Sequence, residues 1–288
     1  MVVGRGWTGA GGRPHAEAAA LAMAGDRARG ADVYVTLEPC AHRSPRGPAC
    51  ADLLVAARPA RVVAAVQDPD PRTAGNGLAR LRDAGIAADL VPCAEAADSL
   101  AGYLTRAVLG RPLVTLKLAM SLDGCIAMAD GSSRWITGPQ ARAHVHARRA
   151  RADAILVGGG TWRSDSPRLD VRLAGLEDRA PEWWVLTRQP IEGVRTIAGP
   201  VEIARMESVQ HLYLEGGAQA AAAFLGADLV DRLELYRAPI LIGDGLRAIG
   251  GLGLTDLPAA HGRWHLTEQA QLGSDAFAAY RRAREGGA

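Results

Sequence analysis

Three residues of the types that bind zinc lie far apart in the sequence, and they constrain the fold of the first third of this 288-residue chain. His15 belongs to the run Pro-His-Ala-Glu, Cys40 closes the run Thr-Leu-Glu-Pro-Cys, and Cys50 follows after nine intervening residues. One imidazole and two thiolates make a three-ligand zinc site with a fourth position open for water, as catalytic rather than structural zinc requires. We therefore expect a fold that brings these three side chains together.

Glu17 lies two residues after His15. If both residues lie in the first turn of a helix, the Glu17 carboxylate reaches a water at the open position without binding the metal, and carries its proton. His-x-Glu followed by Pro-Cys and a second Cys is the signature of the zinc deaminases. The usual second half is Pro-Cys-x-x-Cys, so the wider spacing here points away from the deaminases of nucleic acids and nucleosides.

The pattern also has a simpler explanation, because a chain with 4 cysteines and 7 histidines sometimes shows it by chance. Cysteine is often only a small buried apolar residue, and Cys93 and Cys125 fit that description. For the other two cysteines the residue types, order and context agree with an open catalytic site. We interpret them, with His15, as zinc ligands.

Length and composition limit the function classes. The chain is long enough for two domains, each with its own core. Its formal net charge of +2 gives no long-range case for nucleic acid or a membrane surface as a partner. Four cysteines, two of them assigned to the metal, leave no disulfide framework, and no apolar run is long enough to span a bilayer. We expect a cytoplasmic protein.

Strands and helices alternate along the chain, which predicts mostly parallel sheets covered by helices on both faces. The breaker cluster Gly110-Arg111-Pro112 divides the chain into domains 1–110 and 111–288. In the first domain we predict the end of a strand at 1–7, helices at 15–25, 48–57, 74–84 and 94–108, and strands at 32–36, 61–66 and 88–91. In the second we predict strands at 113–120, 154–157, 183–187, 211–214 and 233–236. We also predict a helix at 139–150, an alanine-rich helix that follows Gly217 and ends at Leu225, and a frayed helix from Ala278.

Two glycine stretches follow predicted strands of the second domain, at 158–160 and 216–217. Glycine lets a backbone come close to a ligand, and a helix N-terminus behind it can hold a phosphate. Neither stretch has the Gly-x-Gly-x-x-Gly pattern, so plain turn chemistry explains the glycines equally well. Arg149, Arg168 and Arg172 can serve a substrate phosphate, but isolated arginines also occur on solvated faces.

The chain resembles the bifunctional riboflavin-biosynthesis deaminase/reductase family. The matching segments follow the family's order over most of the chain. They are Gly12 to Glu17, Thr36 to Cys50, Asp68 to Pro71, Val114 to Gly124, Ser133 to Thr137, Asp153 to Gly158, Asp165 to Leu169 and Glu215 to Gly217.

This resemblance implies an α/β fold with a cytidine-deaminase-like αβα domain, followed by a dihydrofolate-reductase-like α/β domain. It implies zinc and NADPH as cofactors and a small phosphorylated pyrimidine as substrate, with neither nucleic acid nor membrane as a partner. The implied reactions are deamination of a diaminopyrimidine that carries a phosphoribosylamino group, then reduction of its ribose to a ribityl chain. We also expect a homo-oligomer.

The resemblance also assigns site residues. It gives zinc to His15, Cys40 and Cys50, and proton transfer to Glu17. The residues that it implies for the nicotinamide cofactor are Ala119, Trp135, Thr161, Asp165, Gly217, Ala218, Gln219, Ala220, Ala221, Ala222 and Ala223. Those that it implies for the substrate are Ser133, Arg149, Leu169, Arg172 and Glu215.

One departure from the family pattern concerns the first residues. The family has a helix, a strand and an Asn-Pro-containing substrate loop ahead of the segment that here begins at Val2. Without them we expect an open edge on the deaminase sheet and poor deamination, with the reductase half unaffected.

Two other readings compete with a bifunctional enzyme. One is a reductase whose first domain serves only in binding or assembly. The other is a deaminase that acts on nucleic acid, which the near-neutral charge and the lack of an aromatic and basic strip disfavour.

Overall fold

The computed structural model describes residues 1–284, and its contacts divide the chain into two compact units, the first ending at Val108 and the second beginning at Leu109. This division falls two residues before the boundary predicted from the sequence. Among the described residues, no helix combines the length and apolar character that crossing a membrane requires. All four cysteines lie in this part of the chain and are free.

The first unit is built on a parallel sheet of three strands in the order β1-β2-β3. Its strands are β1 (Asp32–Leu37), β2 (Arg61–Val66) and β3 (Ala87–Leu90), and its helices are α1 (Ala16–Ala24), α2 (Cys50–Ala57), α3 (Asn76–Asp83), α4 (Ala94–Ser99) and α5 (Ala101–Leu109). The elements predicted after residue 15 are present, except that the helix expected at 94–108 is interrupted at Leu100. β2 is the central strand, and its residues Val62, Val63 and Ala64 are accordingly all buried.

The first residues of the chain differ from the prediction. Residues 1–7 do not form the end of a strand, because no strand pairs with them in the described structure. They lie along α1 instead. A Cβ atom at Gly4 would be 2.3 Å from the Ala20 carbonyl oxygen, and one at Gly6 would be 2.4 Å from the Ala16 carbonyl oxygen. Glycine at these two positions is what permits so close an approach.

The buried side chain of Glu38, directly after β1, anchors the loop that connects β2 to α3. Its carboxylate accepts backbone N–H bonds from four residues, with distances between 2.9 and 3.4 Å: Asp68, Gly75, Gly77 and Leu78. Helix α3 begins in this loop, and its N-cap residue is a glycine that offers no side-chain acceptor. Glu38 therefore caps α3 from another part of the chain.

Most of the second unit is one eight-stranded sheet. The strands of this unit are β4 (Leu113–Met120), β5 (Cys125–Ala127), β6 (Ala154–Gly158), β7 (Glu182–Leu186), β8 (Arg195–Ile197), β9 (His211–Glu215), β10 (Arg232–Arg237), β11 (Leu246–Arg247), β12 (Trp264–Leu272) and β13 (Asp275–Arg282). Its helices are α6 (Pro139–Arg149), α7 (Gly159–Asp165) and α8 (Ala218–Gly226). β5 and β11 form a separate two-stranded sheet.

Six neighbouring strands of the large sheet are parallel, in the order β10-β4-β9-β6-β7-β8. Strands β13 and β12 continue the sheet beyond β10 as antiparallel neighbours. Helix α8 packs Phe224 into an apolar cluster with Leu116 and Leu156, while α6 packs Val145 into a second cluster with Ile155. Helices thus cover both faces of the sheet, as the alternating pattern predicts.

The prediction of a frayed helix from Ala278 is wrong for the described residues, and residues 285–288 lie outside them. This segment belongs to β13, which is paired on both sides. Its alanines favour a helix by propensity, but they are buried in the sheet beside Phe277. The signal missed in the sequence is the two-residue Gly273-Ser274 link between β12 and β13, a hairpin turn with Gly273 at φ +68°.

We expect Glu38→Gln to destabilise the first unit by about 1–3 kcal/mol, because an amide NH2 group would then face backbone N–H donors and leave buried groups unpaired. Urea unfolding of the full chain measures this loss. The matched control is Glu95→Gln, at an exposed glutamate of the same unit. Equal unfolding midpoints for the two variants would contradict the anchoring role.

Candidate functional site

The three predicted zinc ligands meet in the first unit. His15 Nδ1 lies 3.3 Å from Cys50 Sγ and 3.6 Å from Cys40 Sγ, and the ligand atoms all lie within 4.8 Å of one another. A tetrahedral zinc ion with bonds of about 2.0 to 2.3 Å holds its ligand atoms roughly 3.3 to 3.8 Å apart. The residues present therefore fit zinc in both donor type and spacing.

Three elements of the αβ pattern deliver these ligands to one place. His15 immediately precedes α1, Cys40 follows the end of β1, and Cys50 is the first residue of α2. His15 occupies the N-cap position without capping the helix through its side chain, so its imidazole turns to the thiols instead. The Cys50 backbone N–H donates to Cys40 Sγ at 3.2 Å, as expected of an anion at a helix N-terminus.

The two thiols are electrostatically unequal. The bond from the Cys50 thiol, together with the Cys50 backbone N–H and the nearby His15, lowers the pKa of Cys40 to about 5. The same bond raises the pKa of Cys50, and burial adds to this effect. One thiolate is therefore favoured before any metal arrives, and a bound cation supplies the charge that deprotonates the second.

Glu17 lies in the first turn of α1, beside the cluster. Burial raises the pKa of its carboxyl group, while a backbone hydrogen bond and the charge of His15 oppose that rise. A carboxyl group whose pKa is moved toward neutrality can both take up and release a proton. The arrangement suits proton transfer next to an open metal position.

Glu38 has a role that sequence analysis did not identify. It lies two residues before Cys40, and its bonds to the loop backbone fix the segment that carries this thiol. Gly77 closes the contact, because a Cβ atom there would lie 2.1 Å from the Pro39 carbonyl oxygen. A charged residue between a predicted strand and Pro-Cys was the signal that marked it.

The two glycine stretches of the second unit lie side by side, because β6 and β9 are neighbouring parallel strands. A Cβ atom at Gly217 would lie 3.4 Å from Thr161 Oγ1, and one at Gly158 would lie 3.5 Å from the Ala220 side chain. Helices α7 and α8 begin at these turns. The resulting surface of small residues and helix starts fits the phosphates of a dinucleotide.

The residues expected to contact NADPH have different surroundings. Gln219 and Ala223 are exposed and Ala222 is half-buried, but Ala220 and Ala221 are buried in the core beneath α8. Since α8 turns every 3.6 residues, one helical segment cannot present all its side chains to one ligand. The start of the segment, at Gly217 and Ala218, is the part nearest the neighbouring glycine turn.

The remaining expected cofactor residues lie on three other segments. Ala119 is near the end of β4, and Trp135 lies in the loop before α6 with 65% of its surface exposed. Asp165 ends α7, and its carbonyl oxygen accepts a hydrogen bond from Arg134 at 2.9 Å. The Arg134 bond thus connects the Trp135 loop to the end of α7.

Two of the expected substrate residues form a buried ion pair. Arg149 Nε lies 2.5 Å from Glu215 Oε1 and Arg149 Nη2 lies 2.9 Å from Glu215 Oε2, while Nη1 donates to the Asp170 carbonyl oxygen at 3.0 Å. Burial would raise the pKa of Glu215, but the charges of Arg149 and Lys117 outweigh it and the pKa is lowered. In this structure the Arg149 guanidinium is committed to holding Glu215 ionised.

Lys117 is a site residue that sequence analysis missed. Its Nζ lies 3.8 Å from Glu215 Oε2, and 17% of its side chain is exposed. The chain has 33 lysines and arginines together, and Lys117 is the only lysine. Lysine is smaller than arginine and loses its proton more readily when buried, so its single use in an arginine-rich chain was a signal for this position.

The other expected substrate residues are less closely grouped. Leu169 is buried in the apolar cluster under α6, with φ at +52°. Arg172 has 55% of its side chain exposed and lies 3.2 Å from Asp170 Oδ1. Ser133 is half-buried in the loop before α6. Of these residues, Arg172 has the guanidinium that is open to a ligand in solution.

Comparison with family models divides the chain into two regions. Residues 2–66 match the cytidine and deoxycytidylate deaminase zinc-binding region. Residues 112–196 and 194–277 match the RibD C-terminal domain. The expected fold class, a cytidine-deaminase-like domain followed by a dihydrofolate-reductase-like domain, is confirmed, and so is the presence of a deaminase half and a reductase half in one chain.

Relatives and solved structures agree with this division. The riboflavin biosynthesis protein RibD of Mycobacterium tuberculosis is 40% identical over 95% of this chain and 85% of its own length, and RibD of Escherichia coli is 38% identical over 89% and 82%. The solved structure of Acinetobacter baumannii RibD is 34% identical, covers 99% of this chain and 90% of its own, and has a TM-score of 0.87. The chain therefore belongs to the RibD family of riboflavin biosynthesis proteins.

Proposed function

We propose that this chain catalyses two consecutive steps of riboflavin biosynthesis. The first is zinc-dependent deamination of a diaminopyrimidine that carries a phosphoribosylamino group, and the second is NADPH-dependent reduction of its ribose to a ribityl chain. A solved structure from Thermotoga maritima, 27% identical with a TM-score of 0.81, is named a diaminohydroxyphosphoribosylaminopyrimidine deaminase/5-amino-6-(5-phosphoribosylamino)uracil reductase. The observation that carries the proposal is the three-ligand cluster with Glu17 beside it, in a chain that also has the paired glycine turns.

In the deaminase half, His15, Cys40 and Cys50 would hold zinc, which when bound activates water for attack on the carbon that bears the amine. Glu17 takes a proton from the attacking water and delivers it to the departing nitrogen. The pKa of Glu17, raised by burial, suits both transfers. Glu38 keeps the Cys40 segment fixed while this occurs.

In the reductase half, NADPH would supply a hydride to the opened ribose. The turns at Gly158 and Gly217 would give the cofactor room beside the backbone, and the start of α8 would bind its phosphates. Lys117, held by Glu215, presents a positive charge to the sugar oxygen that gains electron density. Arg172, whose side chain is 55% exposed, would bind the substrate phosphate through its guanidinium.

Separate assays of deamination and of NADPH oxidation on the purified chain test the proposal as a whole. Deaminated product and reduced sugar should both form, each in a measurable step. Reduction without deamination would favour the reading in which the first unit serves only in binding or assembly.

We expect one zinc ion per chain. A variant that combines His15→Ala, Cys40→Ser and Cys50→Ser should lose the ion, because no set of ligands remains at the open site. Metal analysis after dialysis measures the zinc content. Cys93→Ser is the matched control, since Cys93 is an exposed cysteine outside the cluster, and it should retain the ion. Stoichiometric zinc in the triple variant would disprove the assignment.

Glu17→Gln should slow deamination by roughly 100-fold to 10,000-fold, the usual contribution of a general acid-base group. Zinc content and NADPH-dependent reduction should stay at the parental level, because Glu17 is assigned neither to the metal nor to the reductase half. Steady-state rates of both half-reactions and metal analysis of the same preparation provide the test. Parental deamination by a zinc-loaded variant would exclude Glu17 as the proton carrier.

Arg172→Ala should raise KM for the phosphorylated substrate of the reductase more than KM for its dephosphorylated analogue, by about 10-fold or more. The control is Arg205→Ala, which removes an arginine whose side chain is 78% exposed in the same unit. Measurements of KM for both substrates on both variants test whether Arg172 contacts the phosphate. Equal effects of Arg172→Ala on the two substrates would argue against a phosphate contact.

A further inference from the structure

A row of three charged side chains crosses the middle of the large sheet. Lys117 on β4 is in register with Glu215 on β9 and with Glu234 on β10, the strands on either side. Side chains that are paired in register project from the same face of a sheet. The only lysine of the chain therefore stands between two glutamates.

Two consecutive arginines of α6 extend this row at its ends. Arg149 binds Glu215, and Arg148 Nε lies 3.5 Å from Glu234 Oε1. Each of the five side chains is at most 17% exposed. Because water is largely excluded, each charge acts strongly on its neighbours.

The two glutamates differ in how fully their own arginines neutralise them. Both oxygens of Glu215 accept hydrogen bonds from Arg149. Glu234 accepts a bond from the Tyr213 hydroxyl at 2.7 Å, but Arg148 Nε stays beyond hydrogen-bond reach and is buried without a hydrogen-bond partner. Arg148 also forms an ion pair with Glu268 on β12. Glu215 Oε2 lies 3.8 Å from Lys117 Nζ, and Glu215 raises the pKa of Lys117 more than Glu234 does.

We propose that Glu234 is a positioning residue that acts through Lys117 and keeps its ammonium group charged at the reductase site. The importance of that charge for reduction rests on the proposed function, but the effect of Glu234 on Lys117 does not. Glu215 is the stronger of the two carboxylates, but Arg149, bound to it, adds a positive charge that opposes its effect on Lys117. Glu234 supplies the second negative charge that favours the ammonium form.

The electrostatics of Lys117 agree with this assignment. Burial lowers the pKa of Lys117 and the charge of Arg149 lowers it further, whereas Glu215 and Glu234 raise it. Ammonium is lost as the pH rises through the pKa of the lysine. Removing the charge of Glu234 must therefore move the loss of ammonium to lower pH.

Other titratable groups surround the row and must be considered in any pH experiment. From β9, β10, α6, β12 and the loop after α7 they are Tyr213, Arg232, Tyr236, His144, His146, Arg148, Glu268 and Asp170. Burial lowers the pKa values of His144 and His146, so these two groups gain protons only in acid. The alkaline side of a titration is therefore the informative one.

The test uses the fact that the full-length chain has one lysine. Labelling with ¹³C-lysine gives a single side-chain resonance, so the titration of Lys117 can be followed directly by NMR. Glu234→Gln keeps the shape of the side chain and an acceptor for Tyr213 but removes the charge. We expect its lysine midpoint to lie at lower pH than in the parent chain, with Glu234→Asp closer to the parent and Glu207→Gln, at an exposed glutamate, unchanged.

A second readout follows NADPH oxidation against pH. For Glu234→Gln the ratio of kcat at pH 9 to kcat at pH 7 should fall by about threefold to tenfold, the effect of losing one nearby charge, with KM little changed. If Glu234→Gln fails to fold, the double variant Glu234→Leu with Tyr213→Phe, which removes the charge together with the hydrogen-bond donor that it leaves unpaired, replaces it and should move the lysine midpoint in the same direction. An unmoved midpoint in the folded variant overturns the proposal. A moved midpoint in a chain that reduces no substrate supports it and refutes the proposed reductase function instead.

Discussion

Parallel strand pairing is the constraint on which both candidate sites depend. Parallel strands end at the same edge of a sheet, so segments that are distant in the sequence meet there. In the first unit this edge receives Cys40 after β1 and the helix starts that carry His15 and Cys50. In the second it receives the glycine turns after β6 and β9. Each site is thus a consequence of strand order.

Strand order brings these segments together, and buried charged side chains then fix their exact positions. Glu38 is satisfied entirely by backbone N–H groups, and Glu215 is satisfied by an arginine fork. Such groups add little net stability, because desolvation offsets much of the attraction. Removing one partner leaves the other unsatisfied, so the arrangement tolerates few alternatives. Glu38 thus fixes the segment that carries Cys40 in the first unit, and the Arg149–Glu215 pair fixes the carboxylate beside Lys117 in the second.

The two units use charge differently. Around the zinc ligands, a helix N-terminus and a neighbouring imidazole favour a thiolate before any metal binds. Around Lys117, carboxylates on both sides oppose the loss of its proton. The first arrangement favours a negative thiolate, and the second favours a positive ammonium group.

The sequence by itself determined the alternation of strands and helices, the three residues of the His-Cys-Cys cluster as candidate zinc ligands, and the family. These depend on local pattern and residue type, which are present in the sequence before any tertiary contact forms. Only the tertiary structure decided that Glu38 caps α3, that Arg149 is committed to Glu215, and that Lys117 lies between two glutamates. These are contacts between segments far apart in the sequence, and no local pattern contains them, because they exist only once the strand order has formed.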